Sequence, residues 1–331
     1  MRRPVWAWLR VFGGLGILAG LLWHLGSGAF LDGLRRVDPG TLLAALAIGL
    51  LTTVFSAWRW CLVARALGLR LTLGRAVADY YRALFLNAAL PGGVLGDVHR
   101  AVGHGRSAHA LGRGVRAVVL ERAAGQFALF ATGAAVLLVR PSPVSAQAAG
   151  LLTSTGALIA TAAVAVAAIA VACWSRGASR GGRAVRATLA EARRALLSRG
   201  SWPGVALSSA VVLAGYLGMF LLAARVAGVT APPAELVPLV VLALLAMALP
   251  LNIGGWGPRE GVAAWAFGAA GLGAAQGLTT AVVYGVLAFA AALPGAGVLL
   301  VRWGSGLRAG RPQFELEEGV LAEQGAPQRR P

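Results

Sequence analysis

The chain has 331 residues, of which 58% are hydrophobic and 13% charged, with a formal net charge of +18. A soluble domain carries about a quarter charged residues; here the apolar sequence lies in long blocks, which excludes an ordinary soluble domain and indicates an integral membrane protein. All 30 basic residues are Arg, placed mostly between the apolar blocks, so they report topology and contact with anionic headgroups rather than nucleic acid.

In chain order, apolar runs of about 20 residues, long enough to span a bilayer, cover 11–30, 41–64, 117–139, 150–173, 204–228 and 279–301. The first follows Arg2 and Arg3 and precedes Ser27-Gly28-Ala29, as in a signal peptide, but Trp6, Trp8 and Trp23 flank it as interface anchors, so it reads as an uncleaved span. Two further apolar pieces, 76–90 and 235–250 running into 261–272, are short and broken. The stretch 174–200 carries Val185, Leu189, Leu196 and Leu197 among arginines and suits a basic amphipathic helix on the inner membrane surface or a solvated loop. Residues 312–331, with Glu315, Glu317, Glu318, Glu323 and three prolines, read as a disordered cytosolic tail. The chain is thus one membrane domain, 1–311, and a tail.

Arginines concentrate at the N-terminus, at 65–75, 100–116 and 176–199, and near 302–311, which predicts that all five stretches, and both termini, are cytoplasmic. The piece 76–100 then enters and leaves from the cytoplasmic side, and 235–272 from the other. The expected fold class is all-α: six full spans plus two re-entrant broken helices, in an inverted repeat with halves 11–139 and 150–301. Eight conventional spans are the alternative reading.

The two breaks share a pattern. Asn87-Ala88-Ala89-Leu90-Pro91-Gly92-Gly93-Val94-Leu95-Gly96-Asp97-Val98-His99-Arg100 and Leu249-Pro250-Leu251-Asn252-Ile253-Gly254-Gly255-Trp256-Gly257-Pro258-Arg259-Glu260 each place an Arg nine residues after a Leu-Pro. Pro91, Gly92, Gly93 and Gly96, and Pro250, Gly254, Gly255 and Gly257, interrupt helix. Broken helices at corresponding places in two halves point to a transporter's binding site.

Ionisable groups at membrane depth are functional candidates because they cost several kcal/mol unless paired or hydrated. They are Asp79, Arg82, Asp97, Arg100, Glu121, Arg122, Arg259 and Glu260. Asp79 and Arg82, three apart on a helix, can pair locally. A half-helix beginning near Pro258 favours an anion at its start, and arginine suits bidentate phosphate binding. Asn87, Asp97, Arg100, Glu121, Arg122, Asn252, Arg259 and Glu260 are therefore the candidate substrate-binding residues for a phosphate-bearing headgroup. The same charges also read as a network that only holds the hairpins. Glu121 is placed to neutralise Arg100 or Arg259. His99, His104 and His109 recur at five-residue spacing with no completing carboxylate or Cys, so no metal site is expected. Cys61 and Cys173 lie in apolar segments, and no disulfide is expected. No P-loop, Ser-His-Asp set or paired-carboxylate motif occurs, so neither enzyme activity nor a cofactor is expected.

Three motifs in this order, Asn87-x-x-Leu-Pro-Gly-Gly-x-x-Gly-Asp97-x-x-Arg100, Glu121-Arg122-x-x-Gly125 and Leu249-Pro250-x-x-x-Gly254-Gly255-Trp256-Gly257-x-Arg259-Glu260, resemble the lysylphosphatidylglycerol synthase transmembrane region family, or flippase-like domain proteins. The similarity covers about 5–305, with Leu95 standing where the family often has another Gly. In the multiple-peptide-resistance members such a region is fused to a soluble aminoacyl-transferase domain and is implicated in moving the aminoacylated lipid between leaflets. This sequence carries the membrane region without that domain, so the resemblance implies lipid translocation in the cytoplasmic membrane and not synthesis. The expected partner is a phospholipid or polyprenyl-linked lipid, with Arg100 and Arg259 on the phosphate. Asp97, Glu121 and Glu260 would balance charge or recognise a cationic headgroup. A scaffold for a separate synthase or glycosyltransferase, and a lipid-modifying transferase using Asp97 or Glu121, are the competing readings.

Overall fold

The structure, a computed structural model, describes residues 35–89, 95–107, 110–139, 180–248 and 256–309. Its regular elements are helices: α1 Pro39–Ala66, α2 Leu73–Ala89, α3 Leu95–Ser107, α4 Leu111–Val139, α5 Arg180–Leu197, α6 Trp202–Val226, α7 Pro233–Met247, α8 Pro258–Ala269, α9 Ala274–Ala292 and α10 Pro294–Ala309. The expected spans 11–30 and 150–173, the breaks at Pro91-Gly92-Gly93 and Pro250 to Gly255 with Asn252, and the tail lie outside the described residues.

Four described helices are long and apolar enough to cross a membrane: Pro39–Ala66, Leu111–Val139, Trp202–Val226 and the run Ala274–Val301. Three match the expected spans closely. The fourth differs: it begins at 274 rather than 279, and Pro294 divides it into α9 and α10, because proline cannot donate the helical hydrogen bond. Gly295, at the start of α10, lies against the Tyr81 backbone of α2, an approach that a side chain there would block. Large apolar side chains point outward on these helices; Phe127 and Leu138 are 76% and 82% exposed. A continuous outward apolar face of this kind belongs against lipid. The chain is a multi-pass helical membrane protein.

Start and stop signals are local. Asp38 caps α1, accepting from the Thr41 amide at 2.8 Å and the Thr41 hydroxyl at 3.0 Å, with Pro39 in the first turn. These bonds, the amide first, hold the Asp38 carboxyl below the usual range. Gly68 and Gly228, at φ +74° and +85°, end α1 and α6 in the left-handed conformation that glycine reaches without strain. In each case the next residue's amide folds back, Leu69 to the Ala64 carbonyl and Val229 to the Ala224 carbonyl, both at 2.9 Å.

These twin caps belong to a larger correspondence. α1–α2–α3–α4 and α6–α7–α8–α9 have the same internal packing: first on second, second on third, third on fourth, fourth on first. Across the halves, α4 packs on α7 as α9 packs on α2, α6 on α4 as α1 on α9, and α1 packs on α6. That last pair is antiparallel. A Cβ on Gly204, at the start of α6, would meet Leu62 near the end of α1; one on Gly215 would meet Thr52; and Arg36, just before α1, donates to the Ala227 carbonyl just past α6 at 2.7 Å. The two four-helix units therefore run in opposite senses, the inverted arrangement expected from the charge map.

Each unit contains one helical hairpin. A Cβ on Gly96 would fall 2.2 Å from the Ala83 carbonyl oxygen, and the Arg100 guanidinium sits 4.4 Å from the Tyr80 ring, so α3 runs back along α2. Gly96, expected as part of the break, lies instead in the first turn of α3, where its missing side chain permits this contact. α7 and α8 pack likewise: Leu236 and Leu239 share a buried cluster with Ala266 and Phe267. In each pair the second helix runs back along the first, an arrangement that the re-entrant reading requires. The stretch 180–197 is helical; Leu196 and Ala195 pack on the core of the first unit while Leu189 and Leu197 stay exposed.

Candidate functional site

The two hairpins and long helices enclose a cavity of about 350 Å³ at the junction of the units, within the usual range for small-molecule sites. Helices of both units contribute its wall: Thr52, Ser56 and Arg59 from α1, Tyr80 and Asn87 from α2, Arg122 and Gln126 from α4, Ser209 and Tyr216 from α6, Trp256 and Arg259 at the start of α8, and Tyr284 from α9. Leu84, Leu129, Val212, Leu213, Leu244, Met247 and Phe289 supply apolar wall.

The charges are layered. Glu121 is fully buried and does not face the cavity; it lies between two arginines. Its Oε1 accepts from Arg59 Nη2 at 2.6 Å and Arg59 Nε at 3.1 Å, and its Oε2 from Arg100 Nη2 at 2.6 Å. Arg100 Nε donates to Asp97 at 2.8 Å, and Asp97 also accepts from Arg122. The result is a chain, Arg59–Glu121–Arg100–Asp97–Arg122, drawn from α1, α3 and α4. Arg100 is sealed inside it, its guanidinium 4.9 Å from the Trp60 ring and 4.4 Å from Tyr80, and its Nη1 has no hydrogen-bond partner among the described residues. Only the two ends of the chain, Arg59 and Arg122, reach the cavity.

The second unit repeats the theme with different parts. Arg259 Nε donates to Glu260 at 2.9 Å, and the guanidinium lies 5.2 Å from Trp256 and 4.9 Å from Tyr284. Glu260 also accepts the Gly257 amide at 2.6 Å, capping the buried start of α8 with its own carboxylate. Two glycines make room for the cavity arginines: a Cβ on Gly125 would stand 3.0 Å from Arg59 Nη2, and one on Gly285 would stand 2.6 Å from Arg259 Nη2.

Among the residues read from sequence, the structure brings Asn87, Arg122 and Arg259 to the cavity and places Asp97, Arg100, Glu121 and Glu260 behind its wall. Asn87 has two duties, because its side chain also ties the hairpin: Oδ1 accepts the Gly96 amide at 2.8 Å and Nδ2 donates to Asp97 at 3.2 Å. Glu121 neutralises Arg100, one of the two partners expected for it. Asp79 and Arg82 pair locally at 3.1 Å, as expected. His104 packs on Trp60.

Sequence reasoning missed Arg59, Tyr80, Ser209, Tyr216, Trp256 and Tyr284. Arg59 carried a usable signal: a charge inside the apolar run 41–64 is costly unless paired. The tyrosines and Ser209 carried none, since polar-tipped residues are common in membrane helices.

A polytopic helical membrane protein with an arginine-lined cavity between inverted units is the class that fold and site define. Over residues 8–295 the chain matches the family model described as Lysylphosphatidylglycerol synthase TM region, and it belongs to that family. Neither a curated protein nor a solved structure matched it.

Proposed function

We propose that this protein moves a phosphate-bearing lipid between the leaflets of the cytoplasmic membrane. The observation that carries the reading is the cavity at the junction of two inverted units, walled by Arg59, Arg122 and Arg259 and otherwise largely apolar. Arginine forks bind phosphate oxygens, and the apolar wall suits the start of a lipid tail. Inverted repeats that rock against each other around such a site are a common transport plan. Family membership supports a lipid-related role. Asn87 and Asn252 would help to hold the headgroup. Asp97, Arg100, Glu121 and Glu260 would set the position and charge of the arginines. We place the Arg-rich end inside: Arg113 approaches Gly68, and Arg116 pairs with Glu191 at 3.0 Å, so the basic stretches near 68, 113–116 and 191–199 gather at one end.

The test is reconstitution. Labelled phospholipids and polyprenyl phosphates should cross vesicle membranes faster with the protein than without it, and Arg259→Ala should slow them. Equal rates in wild-type, variant and empty vesicles across the panel would refute the reading. Copurification of a fixed synthase or glycosyltransferase without transport would favour a scaffold, and a modified lipid product would favour a transferase.

A further inference from the structure

Building on the lipid-site reading, we infer that the cavity selects a singly anionic phosphate headgroup and rejects headgroups bearing an ammonium. Among the described residues, its charged wall is cationic only: Arg59, Arg122 and Arg259 reach it, while Asp97, Glu121 and Glu260 do not. The stretches 90–94 and 249–255, outside the described residues, contain no Asp or Glu.

The charge count of the clusters is uneven. Arg59, Arg100 and Arg122 share two carboxylates, Asp97 and Glu121, which leaves one positive charge unbalanced, whereas Arg259 and Glu260 cancel. A single phosphodiester charge completes that set. The exposed end of the imbalance is Arg122, whose side chain is 44% accessible and faces the cavity while one Nη is held by Asp97. Burying an excess charge at membrane depth is costly, so an anionic ligand is favoured there and a cation is not.

Aromatic rings could in principle hold an ammonium by cation–π attraction. Three of the five wall rings already carry a guanidinium: Trp256 and Tyr284 face Arg259, and Tyr80 faces Arg100, which leaves Tyr216 and Phe289. An amine entering the cavity therefore meets three cations and rings that are mostly taken. A lysyl headgroup, with two ammonium groups, fits this wall worst.

The test measures binding of the purified full chain in detergent to short-chain phosphatidylglycerol, phosphatidylethanolamine and lysylphosphatidylglycerol, with inorganic phosphate and glycerol phosphate as soluble competitors. Wild type should bind phosphatidylglycerol at least about tenfold more tightly than the two amine-bearing lipids, a difference of about 1.4 kcal/mol. Gln126→Glu, which puts a carboxylate on the wall one helical turn from Arg122, should narrow that gap at least about tenfold. Competition by inorganic phosphate without lipid binding identifies a soluble source of the same anion and sustains the charge rule. Equal or tighter wild-type binding of either amine-bearing lipid overturns it, as does an unchanged gap in a folded Gln126→Glu protein. Selective binding without transbilayer movement removes the transport reading and leaves this inference standing; movement without selectivity does the reverse.

Discussion

Glu121 on α4 and Arg100 on α3 meet at 2.6 Å, with both side chains wholly buried. Arg59 closes on the other side of the same carboxylate. Glu121 thus joins the hairpin of the first unit to its two long helices, and the cavity arginine Arg59 takes its position from it.

Replacing Glu121 by Gln should leave Arg59 and Arg100 buried beside a neutral group. Breaking a buried pair from one side costs on the order of 3–5 kcal/mol. We expect a strongly lowered midpoint of thermal unfolding in detergent. In a double-mutant cycle with Arg59→Met, the two losses should be far from additive.

Gly96 and Gly103 lie on the same helix and should respond oppositely. A methyl group on Gly96 would collide with the Ala83 backbone, whereas nothing lies within 4 Å of one on Gly103. Gly96→Ala should destabilise by roughly 1–3 kcal/mol, and Gly103→Ala should be neutral or stabilise by about 0.5–1 kcal/mol through helix propensity. Parallel melting curves of the two variants decide the point.

The antiparallel seam between α1 and α6 can be locked. A Cβ built on Gly215 stands 3.8 Å from Thr52 Cβ, inside the ~3.5–4.5 Å span of disulfides. Oxidised Thr52→Cys/Gly215→Cys protein should therefore stay joined after proteolytic cleavage between the units. If the units rock during transport, the oxidised protein should be slow in vesicles and recover with reductant, while a locked protein at full speed would count against that motion.

Arg259→Lys keeps the charge but loses the planar fork and the stacking between Trp256 and Tyr284. The fold should survive, since a cation still faces Glu260. Phosphate-lipid transport should fall by about tenfold, the equivalent of about 1.4 kcal/mol. Rates measured beside Arg70→Lys, outside the cavity, separate this effect from a general loss of Arg.

Much of this architecture was legible in the chain. Long apolar runs marked the helices of 39–66, 111–139 and 202–226, because a bilayer admits few other solutions. Pro and Gly marked the breaks, and Arg placement implied two units of opposite sense. The division at Pro294 was not read, because the apolar run continues across it. Asp79–Arg82 was readable because the pair is local in sequence.

What the sequence by itself determined was the class of protein, the long apolar helices of 39–66, 111–139 and 202–226, and the charged residues that had to find partners. Only the tertiary structure decided which charges face the cavity and which support it from behind. The physical reason is that these helices are apolar on nearly every side, so no stripe separates a face toward lipid from a face toward a cavity. Arg59, Glu121 and Arg100 lie 62 and 21 residues apart along the chain, and no local pattern joins them. Packing of α1, α3 and α4 turns Glu121 inward and leaves Arg59 and Arg122 at the surface of the cavity.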